Sequence, residues 1–398
     1  MKKIGIVLGI LFLILVIPAT TRADNYTLAK EWGSYGGADG QFDSPSGIAI
    51  DSFNNIYVVE RYNHRIQKFD SNGNFILKFG SYGNSDGQLK YPSGIAIDSS
   101  GNVYVADSGN YRIQKFDSNG NFIFQFGSYG WGGNGLFNQI SSIAVDSSGS
   151  IYVIDAEYTY QYRIKKFDSN GNFILKWGSN GSGDGQFSYP KGIVCDSSNN
   201  VYIADSGNKR IQKFDSNGNF ILKWGSYGNG DGQFNYPSGI AVDSSGNVYV
   251  ADSGNYRIQK FDSTGNFISQ FDCLYSLSGI AMDSFNNIYV VSSNKVVKFI
   301  PISKVQSLKK EKFFVGKNLF YPNKSEKAQI YYHLNNGSNV LIRVYDIAGD
   351  LVKEILDGYC DAGDYVEYWD GSGAKSGLYI ISIKTDEYTK RAKVGVVK

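Results

Sequence analysis

Few side chains in this chain have the type and spacing that chemistry needs. Three acid–arginine pairs recur at one interval: Asp107 with Arg112, Asp205 with Arg210, and Asp252 with Arg257. Glu60 with Arg65 and Asp155 with Arg163 are variants of the same pattern. Such pairs could line a catalytic or anion-binding ring. Copied this regularly, they are read as structural, each closing its own turn or linking neighbouring units by charge-assisted hydrogen bonds. A functional site should break the symmetry of a repeat.

Gly83-Asn-Ser-Asp-Gly87 matches the G-x-S-x-G nucleophile motif. That motif needs a strand–elbow–helix context and a histidine base. Equivalent loops read GSGDG at Gly181 and GNGDG at Gly228, so Ser85 occupies a variable position. Asp117-Ser-Asn-Gly-Asn121 starts like a calcium loop, but the twelfth position, where a bidentate acid is required, is Ser128. A hairpin turn is the expectation there. His64 and His333 are the only histidines, and Cys195, Cys273 and Cys360 have no metal-ligand spacing. No catalytic residue, metal site or cofactor is expected.

The elements that carry these residues repeat. Tyr236–Phe261 reads YPSGIAVDSSGNVYVADSGNYRIQKF, and Tyr91–Phe116 is almost identical. Weaker copies begin near Ser44, Ile140, Tyr189 and Leu277. A fixed period decides the fold before any local reading does. The copy from Gly239 to Phe271 holds four short apolar or alternating runs, separated by SSGN, DSGN and DSTGN turns. These are antiparallel strands, and four in about 45 residues is one propeller blade. The sixth copy runs into Pro301 without a fourth strand. Leu28–Ser34 (LAKEWGS) precedes the first copy and matches FILKWGS near Trp224. The strand census balances if this N-terminal strand completes the last blade, which also removes open edges.

The P-x-G-I-A-V-D … G-N-V-Y-V-A-D-S-G-N-x-R-I-Q-K-F pattern resembles the NHL repeat. The resemblance covers roughly 26–302 and implies an all-β, six-bladed β-propeller of four-stranded blades. Five copies match well. The sixth reads SSNK in place of Asp-Ser-Gly-Asn, and the third lacks the Pro and Gly at Ile140 and Ser142. Some propellers of this kind are lyases or lactonases, which would imply metal ligands in the central channel. Intracellular relatives bind RNA or act beside a RING, but this chain has no RING spacing of cysteines.

Phe313–Lys398 differs in kind. Alternating runs at Ile330–Leu334, Val340–Asp346, Tyr365–Trp369 and Tyr379–Ile383 suggest a small β-sandwich. Asn318–Asn323, Val344–Gly349, Trp369-Asp-Gly371 and Ser376–Tyr379 resemble the immunoglobulin-like domain of the flagellar hook-capping protein and the C-terminal sorting domains of type IX-secreted proteins. The basic–apolar ending Lys390–Lys398 fits such a sorting domain. The expected organisation is a signal peptide at 1–23, a propeller at 24–302, a Lys-rich linker at 303–312 and the sandwich at 313–398.

Lys2 and Lys3, the apolar run Ile4–Ile17 and Thr21-Arg22-Ala23 read as a cleaved secretory signal. Its removal takes the formal charge from +2 to −1. That near-neutral balance argues against nucleic acid as a partner. No membrane span is expected after cleavage, and the chain is expected to be a secreted or surface monomer. What remains is a contact surface for a protein or glycan. The loops of one propeller face carry Tyr82, Tyr111, Tyr129, Trp131, Tyr227 and Tyr256, and an insertion in the third blade adds Tyr158, Tyr160 and Tyr162. Aromatic residues beside arginine are typical of contact surfaces. Two functions follow: an exported, non-catalytic binding scaffold, or an enzyme of lyase or lactonase type acting in the central channel.

Overall fold

The structure, a computed structural model, describes residues 26–157, 161–273, 276–302, 313–316, 319–320, 322 and 327–398. The expected signal peptide, the linker, Tyr158 and Tyr160 lie outside the described residues.

Six four-stranded antiparallel sheets account for the repeats. The second blade is representative: Gly94–Ile97 lies innermost, followed by Val103–Asp107, Arg112–Phe116 and Phe122–Phe126. In the last sheet Gly279–Met282, Ile288–Ser292 and Lys295–Pro301 are completed by the N-terminal strand Tyr26–Trp32. Leu28 pairs with Phe299 and Trp32 with Val296. The chain's two ends are thus tied together by strand pairing instead of leaving an open edge.

The alternation expected of a half-solvated strand survives only at the periphery. Phe122–Phe126 alternates half-buried and exposed residues, whereas all five residues of Val103–Asp107 are buried. A blade has a neighbour on each face, so its second strand is apolar on both sides. Tyr104, Ala106 and Ile113 of the second blade share one core with Ile143, Ile151, Val153 and Phe167 of the third.

The turns follow from short polar side chains. Asp98 Oδ1 accepts the amides of Ser100 and Asn102, and its Oδ2 accepts the Asn102 side-chain amide. Asp117 is engaged in the same way by Asn119 and Asn121, so the candidate calcium loop is a hydrogen-bonded turn. Gly120 in that turn has φ +84°, and a Cβ there would lie 2.6 Å from the Phe79 ring of the preceding blade.

Inner strands pack closely around the channel, and at Gly192 a side chain would collide with the neighbouring strand. A Cβ on Gly192 would meet the Ser238 carbonyl oxygen at 2.5 Å. A Cβ on Gly279 would stand 3.5 Å from Gly47 Cα, so the last inner strand rests against the first and the ring closes.

The C-terminal unit is a sandwich. One sheet orders Phe313–Gly316, Ala328–Leu334 and Gly363–Trp369. The other orders Leu319–Phe320, Thr389–Val396, Gly377–Lys384, Ser338–Asp346 and Leu351–Cys360. Both close on one core around Trp369, Tyr332, Ile342, Val344 and Ile381. Leu351–Cys360 and the basic tail Thr389–Val396 are strands that the sequence reading did not count. Charged residues on their solvent face obscure the alternation. The sandwich touches the propeller where the Tyr368 hydroxyl donates to Asn72 Oδ1 at 2.5 Å. Among the described residues no helix is long and apolar enough to cross a membrane.

Candidate functional site

The acid–arginine pairs sit at the corner between the second and third strands of a blade. Arg112 Nε donates to Asp107 Oδ2 at 2.8 Å, and Asn110 and Gln114 donate to the same oxygen. Asp107 Oδ1 accepts the Lys90 amide at 2.6 Å. The guanidinium then reaches back to the preceding loop, donating to the carbonyls of Asn84, Ser85 and Gln88 at 2.8–2.9 Å. Arg65 with Glu60, Arg210 with Asp205 and Arg257 with Asp252 repeat the arrangement at 2.6–2.8 Å. Burial raises the Asp205 carboxyl, and the Ser188 amide, Asn208 and Arg210 oppose that shift. In every such corner the carboxylate and the fork are occupied within the protein. They hold the loops of one face in place.

The third blade departs from this. Asp155 takes its cation from Lys165 at 2.6 Å, not from Arg163 as the sequence pairing suggested. Lys165 stands at the position of Gln114 and contacts equivalent acceptors, Asp155 Oδ2 and the Leu136 carbonyl. Arg163 donates to Gln161 instead. The substitution of lysine for glutamine in RIKKF was the available signal. Ser85 lies in a hydrogen-bonded loop turn, its amide donating to Gln88 Oε1, with no strand–elbow–helix around it.

The loops so held present aromatic rings to solvent. Tyr82, Tyr129, Trp131, Tyr227 and Tyr256 are all exposed, from 49% for Trp131 to 72% for Tyr227. Tyr111 is half-buried, its ring centroid 4.8 Å from that of Tyr129, which in turn meets Trp131 edge-on at 6.4 Å. Tyr162 is a correction. It is only 3% exposed and packs on Tyr189 at 5.3 Å, so its ring is core and not contact surface. Tyr189 and Tyr236, exposed at 54% and 62%, were missed. Both precede the proline of an inner strand and have positive φ. Their signal was the Tyr-Pro of the repeat. Lys209 Nζ lies 3.7 Å from the Tyr236 ring centroid, a cation–π contact.

The inner strands and upper loops also enclose a cavity of about 610 Å³ at the mouth of the central channel. Among the described residues no group of three or more His, Cys, Asp or Glu side chains could hold a metal ion.

Comparison with known proteins places these features. The NHL repeat matches at residues 42–69, 89–116, 187–214 and 234–261, four of the six blades. The third and sixth blades, whose sequences depart most, fall outside the matches. The secretion system C-terminal sorting domain matches at 319–397. Drosophila melanogaster protein brain tumor is 45% identical over 49 residues, 12% of this chain and 5% of that protein. Caenorhabditis elegans protein lin-41 is 43% identical over 47 residues, 12% of this chain and 4% of that protein. The chain thus spans about a twentieth of the length of the curated relatives it matches. Among solved structures, a gluconolactonase from Xanthomonas campestris superposes with TM-score 0.52 at 15% identity, over 66% of this chain and 88% of that one. A Bacteroides thetaiotaomicron protein of unknown function gives 0.53 at 18%, over 69% and 75%. At such identities the shared feature is the fold. The chain carries NHL repeats on a β-propeller and, at its C-terminus, a type IX secretion sorting domain that marks it for export and cell-surface attachment.

Proposed function

We propose that the protein is a surface-attached, non-catalytic binding scaffold whose propeller loop face holds a protein or polysaccharide partner. In this reading the sandwich, with its likeness to the hook-capping immunoglobulin-like domain, serves delivery and attachment, and the mature chain acts as a monomer. One observation carries the reading: exposed aromatic rings gather on the single face whose loops are pinned by buried ion pairs. Rigid rings on fixed loops offer large contact area and lose little side-chain entropy on binding. Trp131 is the expected centre, because it sits where the third blade departs from the repeat.

The test uses the full mature chain against an array of glycans and surface proteins. Trp131→Ala should weaken binding of the captured partner by about 1 kcal/mol or more and leave the melting temperature unchanged. Undiminished affinity would remove the loop face from the assignment.

A further inference from the structure

The channel mouth carries a second departure from symmetry, on residues that the loop face does not use. Each inner strand has one residue just before its glycine position. It is serine in five blades (Ser46, Ser93, Ser141, Ser238 and Ser278) and Lys191 in the fourth. Four of these serines latch neighbouring blades. Ser46 donates to the Pro92 carbonyl at 3.1 Å, Ser93 to Ile140 at 3.0 Å, Ser141 to Pro190 at 3.3 Å and Ser238 to Leu277 at 2.9 Å. Lys191 makes no such latch. The equivalent carbonyl, that of Pro237, accepts the Ser206 hydroxyl.

A second ring lies one residue past the corner position, which holds an acid in five of the six blades. It holds Ser108, Ser206, Ser253 and Ser293, with Ala156 in the third blade and Arg61 in the first. Ser108 and Ser253 also latch, to Ile140 and Leu277 at 2.8 and 2.7 Å. Arg61 turns instead toward Tyr91, its guanidinium 5.9 Å from the ring centroid. In both rings a cation has replaced a latch hydroxyl. Both cations are exposed, and both line the same cavity. They stand on the first and fourth blades, opposite one another across six sheets. The described lining contains no Asp or Glu.

Two like charges facing one cavity with no acid between them raise the potential there and favour an anion. The wall combines serine hydroxyls, Gln139 and inner-strand backbone with an isoleucine from each inner strand, such as Ile48, Ile193 and Ile240, and has no aromatic ring. Its volume of about 610 Å³ is of the size that takes small ligands. Two cations and a rim of hydroxyls suit a hydroxylated anion better than a cation, and the isoleucines can meet the C–H face of a sugar ring. We propose that the channel mouth binds a uronic acid residue of an acidic saccharide, with its carboxylate at Lys191 and the rest of the ligand directed toward Arg61. The site goes beyond the loop-face reading and stands or falls apart from it.

The experiment is calorimetric titration of the full mature chain with a glucuronate-containing oligosaccharide and with its neutral glucose counterpart, at low and high salt. The acidic sugar should bind and the neutral one should not, with affinity falling as salt rises. Lys191→Ser, which installs the residue of the other five blades and should fold, is expected to weaken binding at least about tenfold. Arg61→Ser should weaken it by a smaller factor, and Trp131→Ala should leave it unchanged. Absence of binding, equal binding of both sugars, equal binding of inorganic sulfate, or unaltered affinity in Lys191→Ser would each overturn the assignment. An acidic peptide binding in place of the sugar would overturn it too. Loss of acidic-sugar binding in Trp131→Ala would move the site to the loop face.

Discussion

The second and third blades stand side by side and bury the same acid at the same corner, yet they neutralise it differently. Asp107 meets Arg112, a planar fork that also fastens three carbonyls of the preceding loop. Asp155 meets Lys165, a point charge that fastens one, the carbonyl of Leu136. In both blades the carboxylate also accepts backbone amides from the adjoining loop, Lys90 in one and Asn138 in the other. The cation is negotiable, because any donor reaching the buried oxygen neutralises it. What the exchange alters is the hold on the loop. The loop that carries Trp131 receives one carbonyl bond from its corner cation, and Lys176 adds another at the Gly132 carbonyl.

The largest expected effect tests whether the fork matters in one blade and not the other. Arg112→Ala leaves Asp107 buried without its cation and should cost about 3–5 kcal/mol in urea denaturation. Arg163→Ala, at the matching position of the third blade, should cost under about 0.5 kcal/mol. Equal losses would show that Asp155 draws on Arg163 after all and would dissolve the contrast. A second measurement sharpens it at the neighbouring position. Tyr162→Ala empties a buried site and should cost about 2–3 kcal/mol, whereas Tyr256→Ala, its counterpart at 55% exposure, should stay within about 0.5 kcal/mol.

The smallest effect concerns a feature the blades share. Hydrogen bonds from the Asn172 side chain and from the amides of Asn172 and Asn170 hold the Asp168 carboxyl below its ordinary 3.8. A depressed carboxyl contributes stability that is present above its unfolded pKa and lost as pH falls through the lower folded value. Asp168→Ala should therefore cost about 0.5 kcal/mol at pH 7, since the turn is exposed. The difference should vanish in acid, well below pH 3.8. A penalty that persists there would mean the carboxylate's charge contributes nothing to the turn.

Much of the architecture was legible because the repeat states its rules several times over. Each copy offers the same turn residues and the same apolar runs, so an ambiguous segment such as Leu28–Ser34 could be assigned by analogy. The sandwich was less legible. Leu351–Cys360 alternates weakly, with Lys353, Glu354 and Asp357 on a strand that ends its sheet. The aromatic face was half legible. Sequence placed Tyr129 and Trp131 in loops, but only packing separated them from Tyr162.

From sequence alone came the strand period, the turn chemistry, the closing strand and the positions at which one blade differs from the next. These are local or repetitive properties, set by side-chain size, hydrogen-bonding capacity and backbone freedom. Only the tertiary structure decided what the differences mean. Lys165 is a conservative-looking change until the corner shows it in a glutamine's socket beside Asp155. Lys191 and Arg61 are 130 residues apart in the chain. They face one cavity because the sheets close into a ring, and ring closure is a property of contacts between blades that no single stretch of sequence contains.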